Sequence, residues 1–314
     1  MKVLVTGATG FIGRQVCRTF DAAGYQIYAT SSTGVAGEDW PDSLLPINGY
    51  LMGDQLTIDL LEWAPEVVVH LAWEGIPDFS AEICAKNVFQ QLRFLDQVCE
   101  LPSVRQIVAT GSCREYGDAH GPCAESRSVF PTDAFGLAKD EIRVRLTALC
   151  DDFGIDMTWL RVFYAYGPGQ RVGSLVPALI DSLERGEELL LGSPNLLHDF
   201  VYIEDVAKAV LCAVERRGAT GVFNVGTGRP TAVSDVAKIV KAVWACGEFA
   251  ETLGVHSPDI SRQAGVWADL RHASESLGWG PTVDLATGVM ETVGWFAQHL
   301  RQDAEQEYRP PHLS

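Results

Sequence analysis

The sequence predicts an α/β fold in which a doubly wound parallel sheet is followed by a smaller C-terminal α/β lobe. Short apolar and β-branched runs alternate with amphipathic helical stretches through the first half of the chain, which is the pattern of β-α-β units. The run 66–72 is mostly apolar, as expected of a strand covered on both faces. After about residue 165, Gly-Pro pairs separate shorter elements, and we expect the smaller lobe there.

The same pattern predicts the element boundaries. A strand running into a helix at 199–216, and a strand at 222–226, are expected to return to the main sheet. We therefore divide the chain into a first domain, 1–165, and a second lobe, 166–314, with 199–230 rejoining the first sheet. From about residue 303 little can be buried, and the chain is predicted to fray. Predicted strands lie near 2–6, 25–30, 49–52, 66–71, 104–110 and 157–163, and predicted helices at 11–23, 55–63, 80–100 and 134–153.

Composition excludes several classes of function. A net charge of -17 would repel nucleic acid and anionic membrane surfaces. The opening apolar run, 3–5, is too short for a signal-peptide core, and no stretch reaches the ~20 apolar residues of a membrane helix. The 8 cysteines form no C-x-x-C pair and have no histidines at metal spacing. We expect a cytoplasmic protein with reduced thiols, without a metal and without nucleic-acid or membrane partners.

The first predicted strand ends in a glycine-rich turn. Gly7, Gly10 and Gly13 separate the strand at 2–6 from the helix at 11–23. Such glycines let the chain turn sharply, bring backbone N–H groups close to a pyrophosphate, and let the helix pack on the strand with its N-terminus facing the anion. The turn therefore predicts a dinucleotide site of the Rossmann type.

This spacing and the segments after it resemble the extended short-chain dehydrogenase/reductases of the NAD-dependent epimerase/dehydratase family, which modify nucleotide-activated sugars. The resemblance covers about residues 1–300. It implies that Asp54 meets the adenine and that Asn87 braces the active-site region. The cofactor-binding residues it implies are Thr6, Gly7, Thr9, Gly10, Phe11, Ile12, Gly13, Ser31, Ser32, Asp54, Leu71, Ala72, Trp73, Asn87, Lys139 and Phe163.

The second strand bears on the choice between NAD and NADP. Its end, 28–33, carries no Asp or Glu where an NAD-selective site would bond the ribose 2′-hydroxyl. Ser31 and Ser32 could bond a 2′-phosphate, but no Arg stands in that loop and Arg14 is only a candidate. These residues favour NADP and leave NAD open.

The resemblance also implies the catalytic positions. In this family a Ser or Thr follows the fifth strand, and a Tyr-x-x-x-Lys motif lies on the next helix, with the lysine one turn from the tyrosine. The lysine lowers the phenol pKa from about 10 and holds the nicotinamide ribose, while the phenol exchanges a proton with the sugar oxygen. Ser112 matches the serine and Lys139 the lysine, but Phe135 occupies the tyrosine position.

Phe135 cannot exchange a proton, and general acid–base catalysis contributes roughly 10²–10⁴-fold. Four explanations compete: a deliberate Tyr→Phe change that traps a ligand, another proton donor, a natural non-catalytic binder, or an error in our register. We favour the first two, which the sequence does not separate. The candidates for another donor are Ser112, Cys113, Tyr116 and Tyr164.

Several positions implied to face the substrate depart from the family pattern. Family 4,6-dehydratases carry Asp-Glu after the Ser/Thr, whereas Cys113-Arg114 stands here, which disfavours dehydration. Tyr164 replaces a frequent Asn, and His198 replaces an Arg that often holds the diphosphate. Arg262 resembles a second diphosphate-binding Arg, and an Arg suits bidentate phosphate contact. The substrate-binding residues implied are Trp73, Cys113, Arg114, Tyr164, His198 and Arg262.

These segments together are most similar to 4-keto-6-deoxyhexose reductases and 6-deoxytalose 4-dehydrogenases. The similarity implies an NAD(P)-dependent oxidoreductase acting at C4 of a nucleotide-diphosphate deoxyhexose. Two alternatives stay open: a nucleotide-sugar 4-epimerase, and a catalytically silent protein that binds the cofactor or nucleotide sugar. The family also implies a homodimer in which the helices at 80–100 and 134–153 pair into a four-helix bundle.

Overall fold

A computed structural model describes residues 1–32, 40, 44, 54–187, 191–246 and 265–307. Short 3-10 and π-helical segments lie at Cys113–Tyr116 and Ala273–Leu277. The strands are β1 (Lys2–Thr6), β2 (Gln26–Thr30), β3 (Val67–His70), β4 (Gln106–Ser112), β5 (Gly121–Cys123), β6 (Asp156–Val162), β7 (Tyr164–Tyr166), β8 (Leu197–Tyr202), β9 (Gly221–Val225), β10 (Pro230–Ala232) and β11 (Gly265–Ala268). The α-helices are α1 (Phe11–Ala22), α2 (Asp54–Trp63), α3 (Ala81–Cys99), α4 (Ala134–Phe153), α5 (Leu175–Glu184), α6 (Ile203–Glu215), α7 (Val233–Cys246) and α8 (Leu285–Glu307).

The main sheet is parallel and has the order β2-β1-β3-β4-β6-β9. Side chains alternate across it, so that Val3 and Val5 pack in one core with α1 and α6, while Leu4 packs in the other with α3 and α4. Both faces are therefore covered by helices, which explains why β3 is fully buried along its length. The predicted Rossmann α/β fold is confirmed.

A second sheet has the order β10-β8-β11-β5, and β7 pairs with β8. Strand β8 is antiparallel to β10 and parallel to β11 and β7. Helices α5, α7 and α8 share a core with Tyr166 and Tyr202 of this sheet. Because β6 runs almost directly into β7, which pairs with β8, the second sheet begins at the carboxyl end of the main sheet.

The pairing corrects one prediction about segment 199–230. Strand β8 pairs with strands of the second sheet, so it does not rejoin the main sheet. Helix α6 packs on the main sheet and β9 pairs with β6, so the return begins at Ile203. Strand β5 of the first half belongs to the second sheet. The division at residue 165 remains a prediction.

Two further expectations concern the ends of elements. Residues 303–307 continue α8, so the expected fraying from 303 is wrong for them; Ala, Glu and Gln are good helix formers there. The predicted strand at 49–52 lies outside the described residues. None of the helices in the described part of the chain combines the length and apolar content needed to cross a membrane.

Candidate active site

The glycine turn connects β1 tightly to α1 and leaves the helix N-terminus uncapped by any side chain. Gly7 has φ +66°, and a Cβ there would lie 2.8 Å from the Cα atom of Ala72. A Cβ on Gly13 would lie 2.1 Å from the carbonyl oxygen of Gly7. Gly10 caps α1 without a side-chain hydrogen bond, and the first turn holds no acidic residue. The turn therefore fits a pyrophosphate, which the helix N-terminus would attract.

A buried chain of hydrogen bonds joins this turn to the loop after β3. The Thr6 hydroxyl accepts from the N–H groups of Leu71 and Ala72, so its own proton is free for Nδ1 of His70, 2.9 Å away. The other ring nitrogen, Nε2, must then carry a hydrogen and donate to Oε1 of Gln91, 3.1 Å away. Burial and nearby Lys139 lower the His70 pKa to about 4, which keeps the ring neutral.

The chain continues to Asn87, which fixes the loop that carries Trp73. Gln91 donates to Oδ1 of Asn87, and the same oxygen accepts from the N–H of Glu74 at 2.8 Å. The Asn87 amide donates to the carbonyl oxygens of Glu74 and Ile83. Thr6 and Asn87 are expected from the sequence to bind the cofactor, but both side chains are buried and committed to this network. His70 and Gln91, which complete it, were not named.

The residues expected to contact the adenosine part of the cofactor lie after β1, after β2 and at the start of α2. The hydroxyl groups of Thr9 and Ser31 hydrogen-bond to each other, while Ser32 is exposed. Arg14 donates to the carbonyl oxygen of Gly169 at 2.9 Å, and this bond ties α1 to the loop after β7. Asp54 begins α2, but its side chain lies outside the described set.

Ser112 ends β4 and caps the 3-10 helix after it. Its hydroxyl oxygen accepts from the N–H of Arg114 at 3.2 Å, which leaves the hydroxyl proton for a ligand oxygen. Its own N–H donates to Glu115 at 2.7 Å. Glu115 is completely buried and also accepts from Trp159 and from Nε of Arg161, the latter at 2.6 Å. This buried ion pair, absent from the sequence-based site, fixes the end of the strand that carries Ser112.

Phe135 lies in the first turn of α4, packed in a group of aromatic rings and cations. Its ring centroid is 4.7 Å from that of Trp73, edge to face, and 4.8 Å from that of Phe79. The Arg114 guanidinium lies 5.3 Å from the Phe135 ring and is held by Asp133 through a 2.9 Å bond from Nε. Asp133 also caps α4. Helix α4 thus begins one residue before Phe135, which is consistent with the predicted alignment of residues 135–139 with the family's Tyr-x-x-x-Lys motif.

Lys139 lies one turn further along α4 and is buried. Its Nζ donates to the carbonyl oxygen of Thr110 at 2.9 Å and lies 4.6 Å from the Trp73 ring centroid. The distance from Nζ to the Phe135 ring centroid is 5.8 Å. Burial lowers the Lys139 pKa to about 8, and the opposing attraction of Glu115 is smaller.

Aromatic and uncharged groups form the side toward the second sheet. The ring centroids of Tyr164 and His198 lie 3.8 Å apart. Burial lowers the pKa of His198 to about 4. His198 is therefore neutral at pH 7 and cannot supply the positive charge of the Arg it replaces. Phe163 and Cys113 are buried in one cluster with Tyr116. Arg262 lies outside the described residues.

Two buried donor or acceptor atoms on these residues have no partner. In the described part of the chain, neither Nε1 of Trp73 nor Nδ1 of His198 makes a hydrogen bond. Buried polar groups are nearly always satisfied, so each could be paired by a bound ligand. Asp199 and Asp205, by contrast, are saturated: Asp199 accepts from Thr227, Gly228 and Ala268. No group of three or more potential metal ligands occurs among the residues with described positions.

Known proteins are similar to this chain over nearly its whole length. The model of the NAD dependent epimerase/dehydratase family matches residues 3–226. The dTDP-4-dehydro-6-deoxyglucose reductase of Escherichia coli is 25% identical over 91% of this chain and 95% of its own. The dTDP-6-deoxy-L-talose 4-dehydrogenase (NAD(P)(+)) of Kitasatospora kifunensis is 29% identical over 95% of each. A solved UDP-glucose 4-epimerase from Thermotoga maritima, with UDP-glucose, has a TM-score of 0.82, 26% identity, and coverage of 96% of this chain and 100% of that one.

Proposed function

Because the chain belongs to the NAD dependent epimerase/dehydratase family, we propose that it is an NAD(P)-dependent oxidoreductase acting at C4 of a nucleotide-diphosphate 6-deoxyhexose. The observation that carries this proposal is the whole-length likeness to two enzymes whose names both describe redox chemistry at position 4 of a dTDP-6-deoxyhexose. The position of Ser112 and Lys139 at the carboxyl edge of the main sheet supports it, since ligands of such sheets bind there.

The cofactor is proposed to lie with its pyrophosphate at the glycine turn and its nicotinamide ribose at Lys139. When bound, it would supply or accept the hydride. The first turn of α1, with Phe11 and Ile12, would hold the phosphates through backbone N–H groups. We keep NADP as the preferred form, with Ser32 as the exposed hydroxyl for its 2′-phosphate. Comparing the dissociation constants of NADPH and NADH tests this preference.

The protein's own residues would orient the sugar and exclude water. Ser112 can donate to the C4 oxygen because its hydroxyl oxygen already accepts from Arg114. Trp73 and His198 offer unpaired buried nitrogen atoms to the nucleotide sugar. Since His198 is neutral, we propose that Arg262 supplies the positive charge that binds the diphosphate. This proposal rests on the sequence. Phe135 fills the usual proton-donor position without supplying a proton.

The reaction is tested by incubating the wild-type protein and its Phe135→Tyr variant with NAD(P)H and 4-keto-6-deoxy nucleotide sugars. We expect NAD(P)H oxidation that depends on the keto-sugar, faster with the phenol restored. No reduction by either protein rules out the proposal. Inversion at C4 without net oxidation or reduction would instead identify an epimerase, the activity of a relative with the same fold. Ligand binding without turnover by either protein would identify a silent binding protein.

We also propose that the protein is a cytoplasmic homodimer that pairs α3 and α4 with the same helices of a second copy. Phe89 on α3 and Leu137 and Val144 on α4 are each at least half exposed, which is unusual for three large apolar side chains on neighbouring helices. Burying them against a second copy would stabilise the dimer. Light scattering at micromolar concentration tests this, and a monomeric mass would rule it out.

A further inference from the structure

The proposed C4 reduction needs a proton at the sugar oxygen, and Phe135 carries none. Building on that proposed function, we propose that the buried ammonium group of Lys139 is itself the proton donor. Lys139 would then be a catalytic residue that touches the reacting oxygen, in addition to holding the nicotinamide ribose. This assigns to the lysine the step that a tyrosine performs elsewhere in the family.

The position of Lys139 supports this assignment. Its Nζ reaches back toward Phe135, one helical turn earlier, to 5.8 Å from the ring centroid. One N–H is committed to the carbonyl oxygen of Thr110, two residues before Ser112 on β4. Among the described residues, Nζ makes no other hydrogen bond and otherwise borders the Trp73 ring. Two N–H groups thus remain for ligand oxygens, on a lysine bonded to the strand that ends at Ser112.

The competing donors are less suitable. Tyr116 donates to Oδ1 of Asn224 at 2.8 Å, and burial raises its pKa to about 12. Burial also raises the pKa of the Cys113 thiol to about 12 and raises that of Tyr164. Ser112 can donate a hydrogen bond, but an alcohol does not release its proton near neutral pH. A pKa of about 8 makes Lys139 the best match, because a general acid works best with a pKa near the working pH.

Charged or titratable groups face the surroundings of Lys139 from β3, from the 3-10 helix and from the start of α4. On β3, His70 is already neutral near pH 7 because its pKa is about 4. In the 3-10 helix, Glu115 is paired with Arg161, so its attraction for Lys139 does not offset burial. The Arg114 guanidinium, which forms an ion pair with Asp133, lies 5.3 Å from the Phe135 ring centroid.

The proposed step is a two-electron reduction of the keto-sugar that consumes one hydride and one proton. The carbonyl carbon would accept a hydride, which the reduced nicotinamide would supply when bound, so that the C4–H bond forms and the π bond of the carbonyl breaks toward oxygen. That oxygen takes a proton from the Lys139 ammonium group, which becomes a neutral amine. The keto-sugar is reduced, the nicotinamide is oxidised, and Lys139 regains a proton from solvent between turnovers.

Four proteins test the assignment: the wild type, Lys139→Arg, Phe135→Tyr and the double variant. Arg keeps the positive charge but does not release a proton, since its pKa exceeds about 12. We expect Lys139→Arg to lower kcat of the wild type by roughly 10²-fold or more. In the Phe135→Tyr background the same change should cost at least tenfold less, because the phenol supplies the proton. Cofactor affinity, measured by calorimetry, should change much less than kcat.

Two measurements separate this role from ribose binding alone. The wild-type kcat should fall as pH rises through about 8, and the residual kcat of Lys139→Arg, whose charge does not titrate in this range, should show no such fall. In NMR spectra of protein with ¹³C-labelled lysine Cε atoms, one of the six signals, absent from Lys139→Arg, should titrate near that pH. Equal cost of Lys139→Arg in both backgrounds, or titration of that signal above pH 10, would overturn the assignment. Reduction by Phe135→Tyr but not by the wild type would overturn the Lys139 assignment and leave the proposed function intact. No reduction by either protein would overturn both the assignment and the proposed function.

Discussion

Glu115 is the charged residue below the candidate active site whose substitution we expect to destabilise the fold most. Its carboxylate is completely buried, and it accepts hydrogen bonds from Ser112, Trp159 and Arg161. Arg161 is only 2% exposed, and its Nη1 has no partner among the described residues. Glu115→Gln keeps the shape of the side chain but leaves the guanidinium charge uncompensated in the core. Removing one partner of a buried ion pair costs about 3–5 kcal/mol.

This cost is a large part of the ~5–15 kcal/mol that stabilises a typical folded protein. We expect the Glu115→Gln variant to unfold at clearly lower urea concentration, as followed by tryptophan fluorescence. The matched control is Asp181→Asn in the exposed pair with Arg185, for which we expect at most about 1 kcal/mol. A combined Glu115→Gln and Arg161→Met variant should recover part of the loss. If Glu115→Gln costs no more than Asp181→Asn, the role given to this ion pair is wrong.

Three further predictions concern the turn, the buried histidine and the dimer. Gly13→Ala should weaken pyridine nucleotide binding at least tenfold in calorimetry, because its Cβ would meet the Gly7 carbonyl, while Gly280→Ala, with open space around it, should not. The pKa of His70 is about 4 in the folded protein and about 6.5 in the unfolded chain. Its neutral ring therefore contributes to the free energy of unfolding above pH 6.5, and this contribution, about 3 kcal/mol, is lost as pH falls toward 4. The unfolding free energy of His70→Gln should fall less over that interval, and an equal fall contradicts the assignment. Val144→Lys should yield monomers in light scattering, whereas Val172→Lys, exposed on the loop before α5, should leave the mass unchanged.

Much of the candidate site was predictable because its signals are local in sequence. The glycine turn occupies seven consecutive residues, 7–13. The resemblance to the family's Tyr-x-x-x-Lys motif implied the positions of Phe135 and Lys139, and the four-residue spacing puts both on one helix face. The end of β4 was predicted two residues early, since Gly111 weakens a strand pattern. In the structure Gly111 pairs with Arg161, and it must lack a side chain because a Cβ would meet Glu115 and Trp159 at 2.1 Å.

The contacts that support the site join residues far apart in the chain, which periodicity does not reveal. Thr6 and His70 are 64 residues apart, and Glu115 and Arg161 are 46 apart. His70 is the single polar residue of an otherwise apolar strand, but its partner depends on strand order, and Glu115 lies in a 3-10 helix where no such pattern marks it. The same limit explains the error for β8, because its neighbours β7 and β10 have only three residues each.

The central claim is hydride transfer at C4 of a nucleotide-linked keto-sugar in a site without the usual phenol. The most direct test supplies NAD(P)H deuterated at nicotinamide C4, on either face, with a 4-keto-6-deoxy nucleotide sugar, and analyses the product by mass spectrometry and NMR. We predict one deuterium at sugar C4 from one of the two labelled faces, with the wild type and with Phe135→Tyr. A product without deuterium from either face, or no product from either protein, would contradict the claim.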